Sequence, residues 1–357
     1  MTLDELLAKT VEEEGSDLHL TAGSSPRIRK GGSLIPLNNE PLQPQIIKSL
    51  LEPKLTSEQL AKIESGHELD YSISIPGLSR LRVNVFKQRG NLSAAFRRLP
   101  FEIPKLDSLG LPEQIIRLSE KRRGLLLITG ATGSGKSTTM AALIEKISTD
   151  LDGHILTIED PIEYLYKHGK AQINQREVGV DTKSFSSGLR SALRQDPDVV
   201  VVGELRDMES MASAMTIAET GHLVLATLHS NTAASTLNRL VDAFPPDKKD
   251  IIRMNISMSL LAIISQQLVP TVNNKRSLAC EILIANPAIR ALIREDNIHQ
   301  IDNYIKSGKQ EGMIRMDDSL IQLYNSNIIS YDHTLKYAID QKQVAQTIGE
   351  KPKQPNL

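Results

Sequence analysis

Hydrophobic positions in the first hundred residues follow two periods. Leu3, Leu6, Leu7 and Val11 recur at helical spacing and predict a short helix over residues 3–14. Asp17-Leu18-His19-Leu20 alternates as a strand does, and Arg27-Ile28-Arg29 runs into the turn signal Gly31-Gly32. Leu81, Val83 and Val85 alternate with Arg82, Asn84 and Phe86, which predicts a strand with one apolar and one mostly polar face. Residues 92–99 continue or pair with it. This is the pattern of a small α+β domain over residues 1–99. Pro100, Pro104 and Pro112 then break the pattern and mark a linker over residues 100–112.

From Gly124 onward, short apolar runs alternate with helical segments. The runs cover residues 125–129, 155–158, 199–202, 223–227 and 282–285, with helices expected near 136–148, 185–195, 207–220 and 232–241. Strands alternating with helices imply a buried, largely parallel sheet. Asp207 is a suitable N-cap and Gly221 a suitable stop for the third helix. A long helical pattern follows Pro245-Pro246, over residues 248–268. Residues 113–272 therefore read as an α/β core, and 273–357 as a mostly helical region ending in a loose tail over 351–357.

The chemistry concentrates in that core. Gly130-Ala131-Thr132-Gly133-Ser134-Gly135-Lys136-Ser137-Thr138 matches the G-x-x-x-x-G-K-[ST] phosphate loop, preceded by an apolar strand and followed by a helix. Glycines let backbone N–H groups turn inward around phosphate oxygens, and the helix N-terminus adds its positive dipole end. The expected nucleotide contacts are Gly130, Thr132, Gly133, Ser134, Gly135, Lys136, Ser137 and Thr138. Lys136 would face the β and γ phosphates and Ser137 would face Mg²⁺, so ATP and Mg²⁺ are the expected ligands. Asp198-Val199-Val200-Val201-Val202-Gly203-Glu204 is an apolar strand ending in an acid. Glu204 is therefore the candidate to polarise water or to hold the metal through water.

Two further clusters lie at strand ends. Glu159-Asp160-Pro161-Ile162-Glu163 gathers three carboxylates, which repel one another unless a cation or donors sit there. His222 and His229 flank the strand over 223–228. Seven residues apart, they point to opposite faces, which is poor geometry for a shared metal.

Composition narrows the function classes. The 357 residues carry 42 Lys plus Arg and 43 Asp plus Glu, for a net charge of −1, with seven Tyr, five Phe and no Trp. Near-neutral charge and few aromatics argue against a nucleic-acid partner. One cysteine, Cys280, excludes an internal disulfide and every multi-cysteine zinc cluster; a buried, packing role is expected of it. The acidic start is unlike a signal peptide, and no apolar run approaches the roughly 18 residues that span a bilayer. A cytosolic protein meeting the membrane only peripherally is the expectation.

Taken together, these segments resemble the secretion and pilus ATPase superfamily, specifically its retraction branch, the PilT and PilU proteins. Residues 130–139 are similar to its Walker A box. LTIEDPIEY (156–164) resembles its aspartate box, LRQDPDVVVVGELRD (193–207) its Walker B box, and ETGHLVLATLH (219–229) its histidine box. SDLHL (16–20) and PAIRALIRE (287–295) resemble further family segments. The resemblance implies a PAS-like N-terminal domain, a RecA-like P-loop NTPase domain and a homo-hexameric ring that disassembles the pilus through an inner-membrane platform protein. It implies roles in nucleotide binding or hydrolysis for Glu159, Asp160, His222 and His229, with Glu163 a candidate to activate water beside Glu204. A P-loop site lacks a cation over the γ-phosphoryl group, and arginines from the N-terminal domain, Arg82 and Arg97 with neighbours Arg80 and Arg98, are the candidates. The linker would then be a hinge. In PAIRALIRE, Ile289, Leu292 and Ile293 should face the core, with Arg290, Arg294 and Glu295 in water. Ala131 and Gln266-Gln267-Leu268-Val269-Pro270 look closer to PilU, Arg206-Asp207 closer to PilT. A PilU-like chain is expected to act with a PilT paralogue. The four-cysteine zinc segment usual in extension and type II secretion relatives has no counterpart.

Overall fold

Alternation in the first hundred residues builds a wholly antiparallel sheet. In the computed structural model, which describes residues 1–75, 79–99 and 102–349, its strands are β1 (Asp17–Leu20), β2 (Arg27–Lys30), β3 (Ser33–Pro36), β4 (Leu69–Ile75), β5 (Ser79–Gln88) and β6 (Asn91–Arg98). Residues 100–101 of the expected linker and 351–357 of the expected tail lie outside the described residues. The strand order is β3-β2-β1-β6-β5-β4. Gly31 and Gly32, at φ +57° and +86°, form the two-residue turn between Lys30 and Ser33. Such a turn needs positive φ at both positions. Helix Leu3–Glu12 is capped reciprocally: Glu5 N–H donates to Thr2 Oγ1 (3.2 Å) and Thr2 N–H to Glu5 Oε2 (2.8 Å). Leu6, Leu7, Leu18, Leu20, Val83, Val85 and Phe96 are buried together in one core. Met1–Glu102 form a compact unit that also takes in Pro161–Leu165. Arg80 Nε donates to the Ile162 carbonyl at 3.0 Å. That short segment, read from sequence as part of the α/β core, therefore groups with the first unit.

The second unit comprises Ile103–Asp160 and the chain from Tyr166. Its strands are β7 (Gly124–Thr129), β8 (His154–Glu159), β9 (Gln172–Glu177), β10 (Val199–Val202), β11 (Leu223–Leu228), β12 (Leu260–Pro270) and β13 (Arg276–Ile284). The order is β13-β12-β7-β11-β10-β8-β9, parallel throughout except for antiparallel β13. All residues of β7, β10 and β11 are buried, as expected of strands covered by helices on both faces. Asp207 caps helix Met208–Glu219 by accepting from Ser210 N–H at 2.8 Å, and Gly221 follows the helix at φ +110°.

Several elements differ from expectation. The helix expected over residues 248–268 is helix Lys249–Ser259 followed by strand β12. The apolar run Leu260–Ile264 is buried between β7 and β13, and such a run has no period that separates strand from helix. Strand β9 is polar, with Ile173 and Glu177 its buried members, so alternation did not reveal it. Part of the expected linker is packed: Leu106 and Leu111 are buried in the core of the second unit. Arg290 is not in water. Its guanidinium donates to the carbonyls of Ser257, Met258 (3.0 Å) and Leu260 (2.8 Å), closing the C-terminal end of helix Lys249–Ser259. Cys280 lies within β13, buried, with its thiol pushed up to about 12 by burial, so it packs rather than reacts.

On the same strand, buried Glu281 accepts from Ala233 N–H at 2.6 Å, at the start of helix Ala233–Asp242, and from the backbone of Met316, which begins helix Met316–Asn325. These donors favour the carboxylate, but burial outweighs them and lifts the group from 4.5 to about 7. The folded chain thus holds this proton more tightly than the unfolded one. The contribution is complete below about pH 4.5 and is lost as pH rises through 7, on the order of 3 kcal/mol in all. Glu281→Gln should therefore gain stability relative to the parent as thermal melts are taken from pH 5 to pH 8. A difference between the two proteins that stays constant across that range contradicts this reading.

Candidate nucleotide site

The parallel register assembles the site. Thr129 pairs with Leu228, Val202 with Ala226 and Ile158, and Glu159 with Glu177. The segments that follow β7, β8, β10 and β11 therefore emerge along one edge, where α/β sheets bind ligands.

The phosphate loop leaves β7 at Gly130, whose φ is +142°. A Cβ there would lie 2.4 Å from the Gln266 carbonyl oxygen and 2.5 Å from Ser134 Oγ, so no side chain fits. The helix Lys136–Asp150 opens from Gly135 in a left-handed conformation, with no side-chain cap and no acid in its first turn. With no side chain of the chain capping this end, the helix dipole favours an anion there. Ser134 Oγ is buried without a hydrogen-bond partner, an orphan that a phosphate oxygen would satisfy. Lys136 is buried and folds back on its own loop, donating to the carbonyls of Gly130 (2.9 Å) and Ala131 (3.0 Å). Thr132, Gly133 and Ser137 are exposed along the loop mouth. Behind the loop, Thr129 Oγ1 donates to Ser265 Oγ (2.9 Å) and Gln266 Nε2 to Thr139 Oγ1 (2.8 Å), tying both ends to β12.

Glu204 sits on the adjoining ridge. Gly203 N–H donates to the Ile158 carbonyl (2.8 Å), Thr227 Oγ1 to the Gly203 carbonyl, and Leu205 N–H to the Thr227 carbonyl (2.9 Å). These bonds fix the residue after β10 between β8 and β11. The Glu204 carboxylate is one-fifth exposed; Oε2 accepts from Arg206 Nε at 2.8 Å and Oε1 lies 3.2 Å from His229 Nε2. Arg206 Nη1 also reaches Asp160 Oδ2 at 3.4 Å. Glu159 Oε1 accepts from Thr157 Oγ1 (2.6 Å) and Gln175 Nε2 (3.0 Å). The repulsion expected among three carboxylates is thus relieved separately: donors hold Glu159, a guanidinium faces Asp160, and Glu163 belongs to the first unit.

The two histidines part company. His229 joins Glu204, with its own carbonyl held by Arg239 Nη1 at 2.8 Å. His222 precedes β11, where its carbonyl accepts from Gly124 N–H at 3.0 Å and its Nδ1 lies 3.1 Å from the Ile217 carbonyl. A six-residue strand, about 20 Å, separates it from the phosphate-loop edge. His222 is thereby removed from the nucleotide site of its own chain. It lines a cavity of about 560 Å³ at the opposite edge, with Asp198 and Arg122.

Arg82 and Arg97 are directly paired on β5 and β6 of the first unit. Like charges so placed repel, and each has an acid: Arg82 Nε lies 3.0 Å from Asp70 Oδ1, and Arg97 Nε 2.9 Å from Asp17 Oδ1. Arg97 remains largely exposed.

Sequence reading missed Gln175, Arg239 and the buried hydroxyl and amide ties of Thr129, Ser265, Thr139 and Gln266. It treated Arg206 only as a marker of kinship. Position two after Glu204, ahead of the N-cap Asp207, was the available signal. Among the described residues, no group of three or more His, Cys, Asp or Glu is disposed to hold a metal. Of the oxygen donors at this edge, the Ser137 hydroxyl and the Glu204 carboxylate would suit a Mg²⁺ that keeps its waters and leans on phosphate. No helix among the described residues is long and apolar enough to cross a membrane.

Residues 80–347 match the family described as Type II/IV secretion system protein. The chain is 44% identical over 338 residues to the type IV pilus retraction ATPase PilT of Pseudomonas aeruginosa, covering 95% of this chain and 98% of that protein. It is 40% identical to the type IV pilus ATPase PilU of the same organism, covering 95% and 89%. A crystal structure of the pilus retraction motor PilT with bound ADP superposes with a TM-score of 0.91 at 43% identity, over 97% of this chain and 99% of that one. The fold is a RecA-like α/β P-loop core preceded by a PAS-like α+β unit and followed by a helical C-terminal region. The chain belongs to the type II/IV secretion ATPase family, in its type IV pilus retraction branch, and is an ATPase.

Proposed function

We propose that the chain is the ATP-driven motor of pilus retraction, working as a homo-hexamer at the cytoplasmic face of the inner membrane on the platform protein. The observation that carries this is the convergence on one sheet edge of an anion-ready loop, a buried lysine and a donor-held Glu204. Similarity to PilT over nearly the whole chain supports the pilus as the load.

In the reaction, the loop N–H groups and the Ser134 hydroxyl bind phosphate oxygens, and Lys136 turns from the Gly130 and Ala131 carbonyls to the β and γ oxygens. Mg²⁺ held by Ser137 and the phosphates supplies charge neutralisation at those oxygens when bound. Glu204 orients the attacking water or the hydrated ion, with Glu163 a second candidate for the water. Glu159 and Asp160 shape the carboxylate side of the site. Arg82 and Arg97 bring positive charge to the γ-phosphoryl group from the first unit, of the same or a neighbouring copy. Hydrolysis then alters how the two units stand to each other, with the linker over residues 100–112 as the hinge. His229, bonded to Glu204, senses loss of the γ-phosphate.

A second reading is favoured by the 40% identity to PilU: an accessory retraction ATPase that acts with a PilT paralogue. Retraction in cells lacking both paralogues and supplied with this chain alone supports the motor reading; recovery only alongside a PilT protein supports the accessory one.

Lys136→Ala should lose ATP hydrolysis by about 10³-fold or more, because no other group on the loop can bring a positive charge to the β and γ phosphates. Hydrolysis near the parent rate contradicts the site. The double change Arg82→Gln with Arg97→Gln should lower kcat about 10³-fold and leave binding of a fluorescent ADP within a few-fold. An unchanged kcat removes both arginines from the reaction.

A further inference from the structure

Both oxygens of Glu204 are already engaged. His229 stands at Oε1 and the Arg206 guanidinium at Oε2, and the guanidinium reaches on to Asp160. Arg206 thus puts a positive charge on the carboxylate that a P-loop site directs toward a divalent ion or its water shell. Its backbone is a fixed pivot: Leu205 before it is fully buried, and Asp207 after it caps helix Met208–Glu219. The head of the side chain is more than half exposed and can swing. Asp160 offers it a second carboxylate to keep when it leaves the first. The Arg239 bond to the His229 carbonyl holds the other side of Glu204 in place meanwhile.

We propose that Arg206 is a positioning residue that latches Glu204 while the metal nucleotide is absent and competes with Mg²⁺ for it. On binding of Mg²⁺ with nucleotide, the guanidinium retires to Asp160 and Glu204 turns to the hydrated ion. The latch keeps Glu204 ordered and charge-compensated without committing it to water, so the site without nucleotide does not idle in a reactive arrangement. It also sets the Mg²⁺ concentration at which the site closes. The inference rests on the nucleotide reading of this edge.

The test is a titration of a fluorescent ADP analogue against the full-length protein, with Mg²⁺ varied from chelated to saturating. In Arg206→Gln the half-saturating Mg²⁺ for tightened nucleotide binding should fall about two- to fivefold, the reach of an exposed ion pair. Affinity in chelator should stay within twofold of the parent. Arg206→Lys, with one charge and no fork, should fall between the two. The gap between parent and Arg206→Gln should narrow as salt is raised, since the pair is partly exposed. A merely structural arginine would shift the melting temperature and leave the Mg²⁺ dependence alone. An unchanged or weakened Mg²⁺ response in Arg206→Gln overturns the latch; if that variant does not fold, an unchanged response in Arg206→Lys does so. Parent protein whose nucleotide binding ignores Mg²⁺ overturns the metal reading of the edge and the latch with it.

Discussion

The parallel register of β7 with β11, β10 and β8 is the constraint on which the rest depends. It fixes where four strands end, and the chemistry sits in the residues that follow. Because the central strands are buried on both faces, a shift of one would expose apolar residues and break two ladders at once. Glu204, His229, Asp160 and the phosphate loop are therefore held by the strongest part of the structure, although each lies on a turn. Gly130 shows how little room is left. The loop passes so close to the β12 backbone that even a methyl group is excluded.

Charge at this edge is balanced locally. Lys136 rests on two carbonyls, Arg206 spans two carboxylates, and Glu159 is satisfied by a hydroxyl and an amide. Under the proposed function, the carbonyls on Lys136 stand in for phosphate oxygens and the Arg206 guanidinium for a metal ion. Such a site is ordered before its ligand arrives, and ligand binding exchanges one set of partners for another. Exchange of this kind is suited to a motor, because the groups released are those that differ between the loaded and emptied states.

Much of this was legible in the sequence, and the reasons are local. The phosphate loop, the acid after the valine run and the caps at Asp207 and Gly221 are set by residues a few positions apart. Alternation placed Arg82 on the polar face of β5, but its pairing with Arg97 of β6 came only from the register. What escaped depended on distant partners. β12 read as helix because its apolar run has no period and its strand character comes from β7 and β13 on either side. β9 was hidden because an edge strand needs few apolar residues. Arg290 read as solvated because the carbonyls it closes lie about thirty residues away in sequence. His222 and His229 were recognised as divergent, but only the register shows that they occupy opposite edges of the sheet. The grouping of Pro161–Leu165 with the first unit had no local signal at all.

The most direct measurement is a structure of the chain with ADP, beryllium fluoride and Mg²⁺. The account predicts nucleotide phosphates in the loop over residues 130–137, Lys136 Nζ moved from the Gly130 and Ala131 carbonyls onto phosphate oxygens, and Ser134 Oγ no longer orphaned. Nucleotide bound elsewhere, for instance in the cavity beside His222, or Lys136 still folded on its own loop, would contradict it.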